Sequence, residues 1–263
     1  MADRVLPGPV EERSPANGTV NIHTGKIFDA CRDKDCVEDL RVYPTVSSQA
    51  LINSAFSVRP SSATLLSANI SVDPISFNRG YYTVDVTYFY RVTGTTFPGG
   101  CEISGLAIFD KRVILFGSEG TVKVFSSASG VPYIPIGYEQ PVAYVEAVDP
   151  IALNMKIVDH ESCFAGDGDS PLIPSCILEA IGEELVLTGI GRRLYTTLGQ
   201  FSIIRLERST QLTLSASDFF PSRECVGSGE DDPCTLFGRV RFPVEEFFPP
   251  NSVVHSEDYK DLV

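Results

Sequence analysis

The clearest pattern in the chain is a strict alternation of apolar and polar positions over residues 81–92. One face of this segment carries Tyr82, Val84, Val86, Tyr88, Tyr90 and Val92. The other face is mostly polar, with Thr83, Asp85, Thr87 and Arg91. A period of two residues is that of a β-strand with one buried face. The pattern therefore predicts a half-buried strand at this position.

Further runs rich in β-branched and aromatic residues predict strands on both sides of a proline- and glycine-rich linker at 130–137. These runs lie at 64–71, 102–109, 112–116, 121–125, 142–148, 152–158, 184–188, 194–198, 201–208 and 211–215. Residues 177–181 fit either a strand or one helical turn. Short strands separated by turn signals such as Pro98-Gly99-Gly100 are typical of antiparallel sandwiches and barrels. The chain is therefore expected to be mainly all-β.

The best helical candidate is residues 28–43. Asp33 or Asp35 would cap the helix, because a short polar side chain satisfies free amides at a helix start. Glu38 and Asp39 would lie in its first turn, and Pro44 would end it. A helix of about two turns is predicted.

A segment of the chain occurs twice, as VDPISFN at 72–78 and as VDPIALN at 148–154. A basic pair follows each copy, Lys111-Arg112 after the first and Arg192-Arg193 after the second. Such internal periodicity predicts two related antiparallel modules, each a sandwich or barrel-like unit. The predicted organisation is an N-terminal arm with a short helix at 1–56, module one at 57–130, module two at 139–220 and a C-terminal tail at 221–263.

Composition and charge restrict the possible partners. The chain has 263 residues, a hydrophobic content of 43% and a net charge of −13. Phosphate binding requires a basic surface, and lysine and arginine do not cluster in this sequence, so we expect no nucleic-acid partner. We expect no membrane insertion, since no run of 18 apolar residues occurs. The first residues lack the apolar region of a signal peptide, which indicates synthesis in the cytoplasm.

Seven cysteines are the candidate cross-linking residues: Cys31, Cys36, Cys101, Cys163, Cys176, Cys225 and Cys234. Three pairs are close in sequence, Cys31 with Cys36, Cys163 with Cys176, and Cys225 with Cys234. Three interpretations stay open, namely buried reduced thiols, disulfides within or between chains, and a metal site. The odd number leaves at least one thiol free or available to another chain.

The candidate catalytic residues do not form a convincing constellation. His160 and Cys163 lie close together, but no residue nearby supplies the orienting group that a Cys-His nucleophile needs. The loop with Asp167 and Asp169 resembles the start of a calcium site but lacks its closing glutamate, so cation binding there stays open. We expect no catalytic residues, no cofactor and no enzymatic activity.

Two aromatic segments suggest contact surfaces. Phe247, Phe248, Pro249 and Pro250 would be costly to expose, so we expect them to dock on the protein or on a neighbouring copy. The tyrosines of 81–92 offer a carbohydrate-binding face, for which Tyr81 and Tyr88 are the candidates. The alternative for these tyrosines is packing in the core.

Two segments, CRDKDCVEDLRVY at 31–43 and PCTLFGRVRFPVEEFFPP at 233–250, resemble motifs of poorly characterised proteins from spore-forming, clostridia-like Firmicutes. The resemblance implies a structural protein of the spore coat or exosporium. Such proteins are made in the cytoplasm without a signal peptide and meet an oxidising exterior after lysis. Their partners would be copies of the same chain and other spore-surface proteins; the alternative location is the cytoplasm.

The leading hypothesis is a structural protein that assembles into a filament or a two-dimensional layer on the spore surface. Exchange of the arm and the tail between subunits, together with disulfides, would stabilise the assembly. The alternative is a β-sandwich module that binds carbohydrate or another coat component.

Overall fold

Seven strands and two helices make up the described part of the protein. The structure is a computed structural model that describes residues 20–119, 140–160, 171–188 and 191–214, together with 237–238, 242–243 and Phe247. The elements are β1 (Val20–Pro44), α1 (Val46–Ser54), β2 (Ser57–Pro74), β3 (Tyr81–Phe97), β4 (Glu102–Phe116), β5 (Val142–Ala147), β6 (Ile151–His160), α2 (Ser175–Ile181) and β7 (Gly191–Leu214). Neither helix is long and apolar enough to span a membrane.

The strands form one antiparallel sheet in the order β2-β3-β4-β1-β7-β5, and β6 also pairs with β7. β5 and β6 follow each other along the same edge of β7. The free edge of β2 meets β5 and β6, so the sheet forms a nearly closed barrel. At this seam the Asp149 carboxylate accepts a hydrogen bond from the Leu65 amide at 2.8 Å. The all-β prediction is confirmed.

The core lies inside the barrel, and β3 shows why. Its even-numbered residues from Tyr82 to Val92 are buried, as the alternation predicts. The outer face of β3 and β4 is covered in part by α2, because Phe89 and Leu106 pack with Ile177 there. The prediction of either a strand or a helical turn at 177–181 is resolved as helix.

The helix predicted over 28–43 is wrong, because these residues belong to β1. β1 pairs with β7 along nearly its whole length, from Val20 opposite Leu214 to Val42 opposite Leu194. Glu38 and Asp39, predicted for the first turn of the helix, lie instead at a bulge of β1 between Val37 and Leu40. Pairing with a strand about 170 residues later overrides local helix propensity, which is a weak preference. Residues 20–27, assigned from sequence to an arm, are also part of β1.

The two predicted modules contribute to the same sheet. β2, β3 and β4 come from module one, β5, β6 and β7 come from module two, and β1 lies between the two sets. The two copies of the repeated segment occupy different local structures. Residues 72–74 end β2 and a turn follows, whereas residues 148–150 interrupt the edge formed by β5 and β6. The similarity of the two segments therefore does not correspond to equivalent positions in the fold.

Several strand boundaries differ from the predicted ones. The strands predicted at 102–109 and 112–116 are one continuous strand, β4, and the three predicted between 194 and 215 are one strand, β7. Residues 184–188 are irregular apart from a single bridge between Thr45 and Leu185. The strand predicted at 121–125 lies outside the described residues.

Candidate functional site

A buried charged cluster lies inside the barrel, between β1 and β4. The Lys111 ammonium on β4 contacts the Asp33 carboxylate on β1 directly, and its Nζ lies 2.5 Å from Asp35 Oδ2. The side chains of Lys111 and Asp33 are each 8% exposed, and that of Asp35 is 17% exposed. Asp33 Oδ1 also accepts a hydrogen bond from the Lys34 amide at 2.7 Å. One lysine thus meets two carboxyl groups in the interior.

The strand geometry explains how the three side chains meet. Asp33 and Asp35 are two residues apart on β1, so both point to the same face. β1 pairs with β4 only over Val42–Pro44. Residues 33–35 are therefore beyond the last hydrogen-bonded pair of these two strands. The long side chain of Lys111 spans the gap that opens there.

Burial changes the chemistry of Asp35. Loss of solvent raises the pKa of its carboxyl group from 3.8 to about 7, because the charged form is disfavoured in a low-dielectric interior. Burial also raises the pKa of Tyr90, and the charges of Tyr88 and Asp35 add to this effect. At neutral pH the Asp35 carboxyl therefore exists in both its protonated and ionised forms.

Aromatic rings pack in the same barrel interior as the cluster. Tyr88 stacks on Tyr90 and on Phe109, with ring centroids 6.0 Å apart in both cases. Tyr88 and Tyr90 are fully buried, and the Tyr90 hydroxyl has no hydrogen-bond partner among the described residues. The tyrosines predicted to offer a carbohydrate platform thus face the interior; Tyr81 alone of that group is exposed, at 38%. Core packing, the alternative weighed for them, is what the structure shows.

A small cleft with a basic lining lies beside α1. Its volume is about 60 Å³, and Arg41, Arg192 and Arg193 line it together with Gln49 and Asn53. The guanidinium of Arg192 pairs with Asp159 at 2.8 Å, and Arg41 donates to the Leu187 carbonyl at 3.0 Å. The Gln49 amide donates to Asn53 and to the Arg192 carbonyl. The polar groups of this cleft thus bind to one another and to residues beside it.

Exposed aromatic side chains lie at both ends of β3. We call the first group the Phe97 end; it consists of Phe56 (80% exposed) and Phe97 (62% exposed), whose backbones are joined by a 2.8 Å hydrogen bond. We call the second group the Phe77 end; it consists of Phe77 (91% exposed), Tyr81 and Phe116. The rings of Tyr81 and Phe116 meet edge to face at 5.3 Å. No local pattern in the sequence distinguishes these phenylalanines, because their exposure depends on where the strands end.

Two of the three local cysteine pairs suggested by spacing are not formed, and the third, Cys225 with Cys234, lies outside the described residues. Cys31 and Cys36 lie five residues apart in a regular part of β1, which separates their Cα atoms by roughly 16 Å, whereas a disulfide needs less than about 7 Å. Cys101 and Cys176 are exposed free thiols, so Cys176 is not joined to Cys163. Cys36 is not among the free thiols of the described residues. Cys163, Cys225 and Cys234 lie outside the described part of the chain.

The described aromatic residues of the C-terminal segment dock on the protein itself. Phe237 is buried against Phe201 on β7, with ring centroids 4.7 Å apart, and Phe242 contacts the same ring at 5.5 Å. Phe247 in turn stacks on Phe242 at 5.1 Å. This arrangement covers the outer face of β7, so Phe247 is an intramolecular contact. Phe248, Pro249 and Pro250 lie outside the described residues.

The remaining candidates from the sequence are not brought together. His160 ends β6, where its backbone pairs with Gly191, while Cys163, Asp167 and Asp169 lie outside the described residues. Within the described part of the chain, no group of three or more potential metal ligands occurs.

Comparisons with known proteins find no matching family model, no similar curated protein and no similar solved structure.

Proposed function

We propose that this chain is a structural protein that assembles end to end through the Phe97 end and the Phe77 end. The observation that carries the proposal is the pair of exposed aromatic groups at opposite ends of β3. Phe77 is 91% exposed. Covering such a side chain with a neighbouring molecule lowers the free energy, because apolar surface is removed from water. Each end alone is a modest apolar patch, and the two together supply both halves of a contact.

The distance between the ends determines the kind of assembly. β3 has 17 residues, so its ends are separated by up to about 55 Å along the strand. The two ends of one molecule therefore do not meet, and the partner for each end is a second copy of the chain. A contact between two different surfaces is heterologous, and it grows into an open filament unless the rotation closes a ring. Lateral association of such filaments would give a two-dimensional layer.

The resemblance to proteins of spore-forming Firmicutes supports placing this assembly in the spore coat or exosporium. The copies of the chain would be made in the cytoplasm. They would meet other spore-surface proteins in the coat or exosporium. The exposed thiol of Cys101 lies in the turn after Phe97. It would be covered by the next subunit, whereas the exposed thiol of Cys176 on α2 would stay accessible.

Two single-end variants test the proposal. Phe97→Ser removes one end and Phe77→Ser removes the other, and Leu172→Ser is the matched control, since Leu172 is 95% exposed in the segment before α2. Negative-stain electron microscopy and sedimentation velocity should show filaments or layers for the parent and for Leu172→Ser. Each single-end variant alone should stay monomeric. An equimolar mixture of the two should stop at dimers, because one good contact remains in each pair.

Thiol labelling measures the same contact independently, through the accessibility of Cys101. Assembly should protect Cys101 from a maleimide and leave Cys176 reactive, with and without reductant. A parent protein that stays monomeric at high concentration would contradict the proposal. So would an equal loss of assembly in the Leu172→Ser control, or filaments in which Cys101 labels as fast as Cys176.

A further inference from the structure

We propose that Lys111 and Asp33 condense into an intramolecular amide bond, with Asp35 as the proton carrier for the reaction. The bond would join Nζ of Lys111 on β4 to Cγ of Asp33 on β1, and one water molecule would leave. This cross-link is internal to one chain and does not depend on the proposed assembly.

The contact geometry brings the reacting groups together. Lys111 Nζ touches the carboxyl group that it would attack, and the second carboxyl group lies 2.5 Å from the same nitrogen. The Lys34 amide donates to Asp33 Oδ1, so it would stabilise the negative charge that develops on this oxygen during the attack. Nucleophile, electrophile and proton carrier are thus already in place.

Transfer of one proton from Lys111 to Asp33 gives the reactive forms of both groups. This transfer removes two charges from a low-dielectric interior, where burial penalises charge. A neutral amine is nucleophilic, and a protonated carboxyl group can lose its hydroxyl as water. The side chains of Lys111 and Asp33 are buried, so bulk water is kept away from the product, which slows its hydrolysis.

Asp35 has the property that a proton carrier needs. Its pKa of about 7 lets it both donate and accept a proton at neutral pH. The buried hydroxyl of Tyr90, which has no partner among the described residues, lies close enough for its pKa to respond to the Asp35 charge. It is available to hold a proton or a water molecule during the reaction.

The reaction balances without any other reactant. A proton passes from the Lys111 ammonium to the Asp33 carboxylate, which gives a neutral amine and a neutral acid. The amine lone pair attacks Cγ of Asp33 and forms the C–N bond. Asp35 takes a proton from the nitrogen and gives one to the departing hydroxyl, so the C–O bond breaks and water leaves. One cation and one anion have become a neutral amide, and nothing is oxidised or reduced.

The position of the bond gives it a structural purpose. β1 and β4 share backbone hydrogen bonds only at Val42–Pro44. An amide between Asp33 and Lys111 would hold these strands together where their pairing has already ended. It would also close a long loop of chain, which restricts the unfolded state.

Intact-mass spectrometry of the full chain tests the proposal. The natively folded protein, reduced and then denatured, should be lighter than its sequence by about 18 Da, the mass of one water. A peptide digest should contain a branched peptide that joins Lys111 to Asp33. The surface pair of Lys156 and Asp39, with an Nζ–Oδ1 distance of 2.6 Å, is the internal control and should be recovered unjoined.

Variants separate the roles of the three residues. Lys111→Met removes the nucleophile and should restore the full mass. Asp35→Asn keeps both joined residues and should slow the mass loss strongly in a time course after refolding. Lys156→Met should retain the full loss at the parent rate.

Two results would overturn the proposal. One is an unchanged mass for folded parent protein after prolonged incubation, a result that does not depend on how any variant folds. The other is a loss of the same size that maps to a succinimide at Asp167-Gly168, which hydroxylamine cleaves, while an amide survives this treatment. The cross-link and the assembly are separable, since a monomer with the mass loss would refute only the assembly.

Discussion

Two buried tyrosines on the same face of β3 should respond in opposite ways to loss of the hydroxyl group. Tyr82 is 7% exposed; its hydroxyl accepts from Arg208 at 2.8 Å and donates to the Ser118 carbonyl at 3.1 Å. Tyr90 is fully buried, and its hydroxyl has no partner among the described residues. Tyr82→Phe and Tyr90→Phe make the same chemical change in two different environments.

The expected magnitudes follow from the hydrogen bonds. Tyr82→Phe deletes one bond to a charged group and one to a carbonyl, so the free energy of unfolding should fall by about 2 kcal/mol. Tyr90→Phe deletes a desolvated hydroxyl that has no compensating bond, so the free energy of unfolding should rise by about 1 kcal/mol. The rings stay in place in both variants, so neither substitution opens a cavity.

Equilibrium unfolding in guanidinium chloride measures both changes, with the slope of the transition checked for constancy. Thermal unfolding should agree, at about 2–4 °C for each kcal/mol in a protein of this size. Equal losses of stability in the two variants would refute the reasoning, because they would mean that the Tyr90 hydroxyl is as well bonded as that of Tyr82.

Two further predictions concern the charged interior and the barrel packing. Burial raises the pKa of Asp35 from 3.8 to about 7, so the folded state binds a proton on this carboxyl group more tightly than the unfolded state does. The stability that this proton contributes is complete below pH 4 and is lost as the pH rises through 7. Asp35→Asn should remove this loss of stability, which is on the order of 4 kcal/mol. The free energy of unfolding of both proteins, measured from pH 4.5 to 8, should fall with pH only in the parent. The same pH dependence in both proteins would contradict the prediction. Gly105→Ala should cost about 1–3 kcal/mol, because the new Cβ would lie 2.7 Å from Val42 Cγ1 and 2.8 Å from the Tyr43 carbonyl. Gly238→Ala, where a Cβ meets nothing within 4 Å, is its control, and similar unfolding midpoints for the two variants would rule out the packing argument.

Local patterns predicted the strands whose burial is decided by alternation alone. The period of two in 81–92 was sufficient for β3, because one face of this strand is buried along its whole length. Reasoning from helix caps failed over 28–43, where Asp33 and Asp35 suggested the start of a helix. In the structure they alternate with Arg32 and Lys34, and this alternation of residue types was the available signal for a strand.

The buried cluster of Lys111, Asp33 and Asp35 could not be predicted from the sequence, for a different reason. Lys111 is 76 residues from Asp35, and the antiparallel pairing of β1 with β4 brings the two side chains together. The exposed aromatic ends depend likewise on where β3 stops. Identity of the residues is visible in the sequence, whereas their juxtaposition is a property of long-range strand pairing.

The pairing of β1 with β7 also determines when the protein can fold during its synthesis. β1 ends at Pro44 and β7 ends at Leu214, so about 170 residues separate the completion of one strand from that of its partner. At about 5–20 residues per second, a ribosome needs roughly ten to thirty seconds to make them. The neighbouring strands β2, β3 and β4 pair locally and can form within this time, while β1 waits with its apolar face uncovered. The nascent chain is therefore open to misassociation during this interval, until the ribosome delivers the strand that completes the barrel.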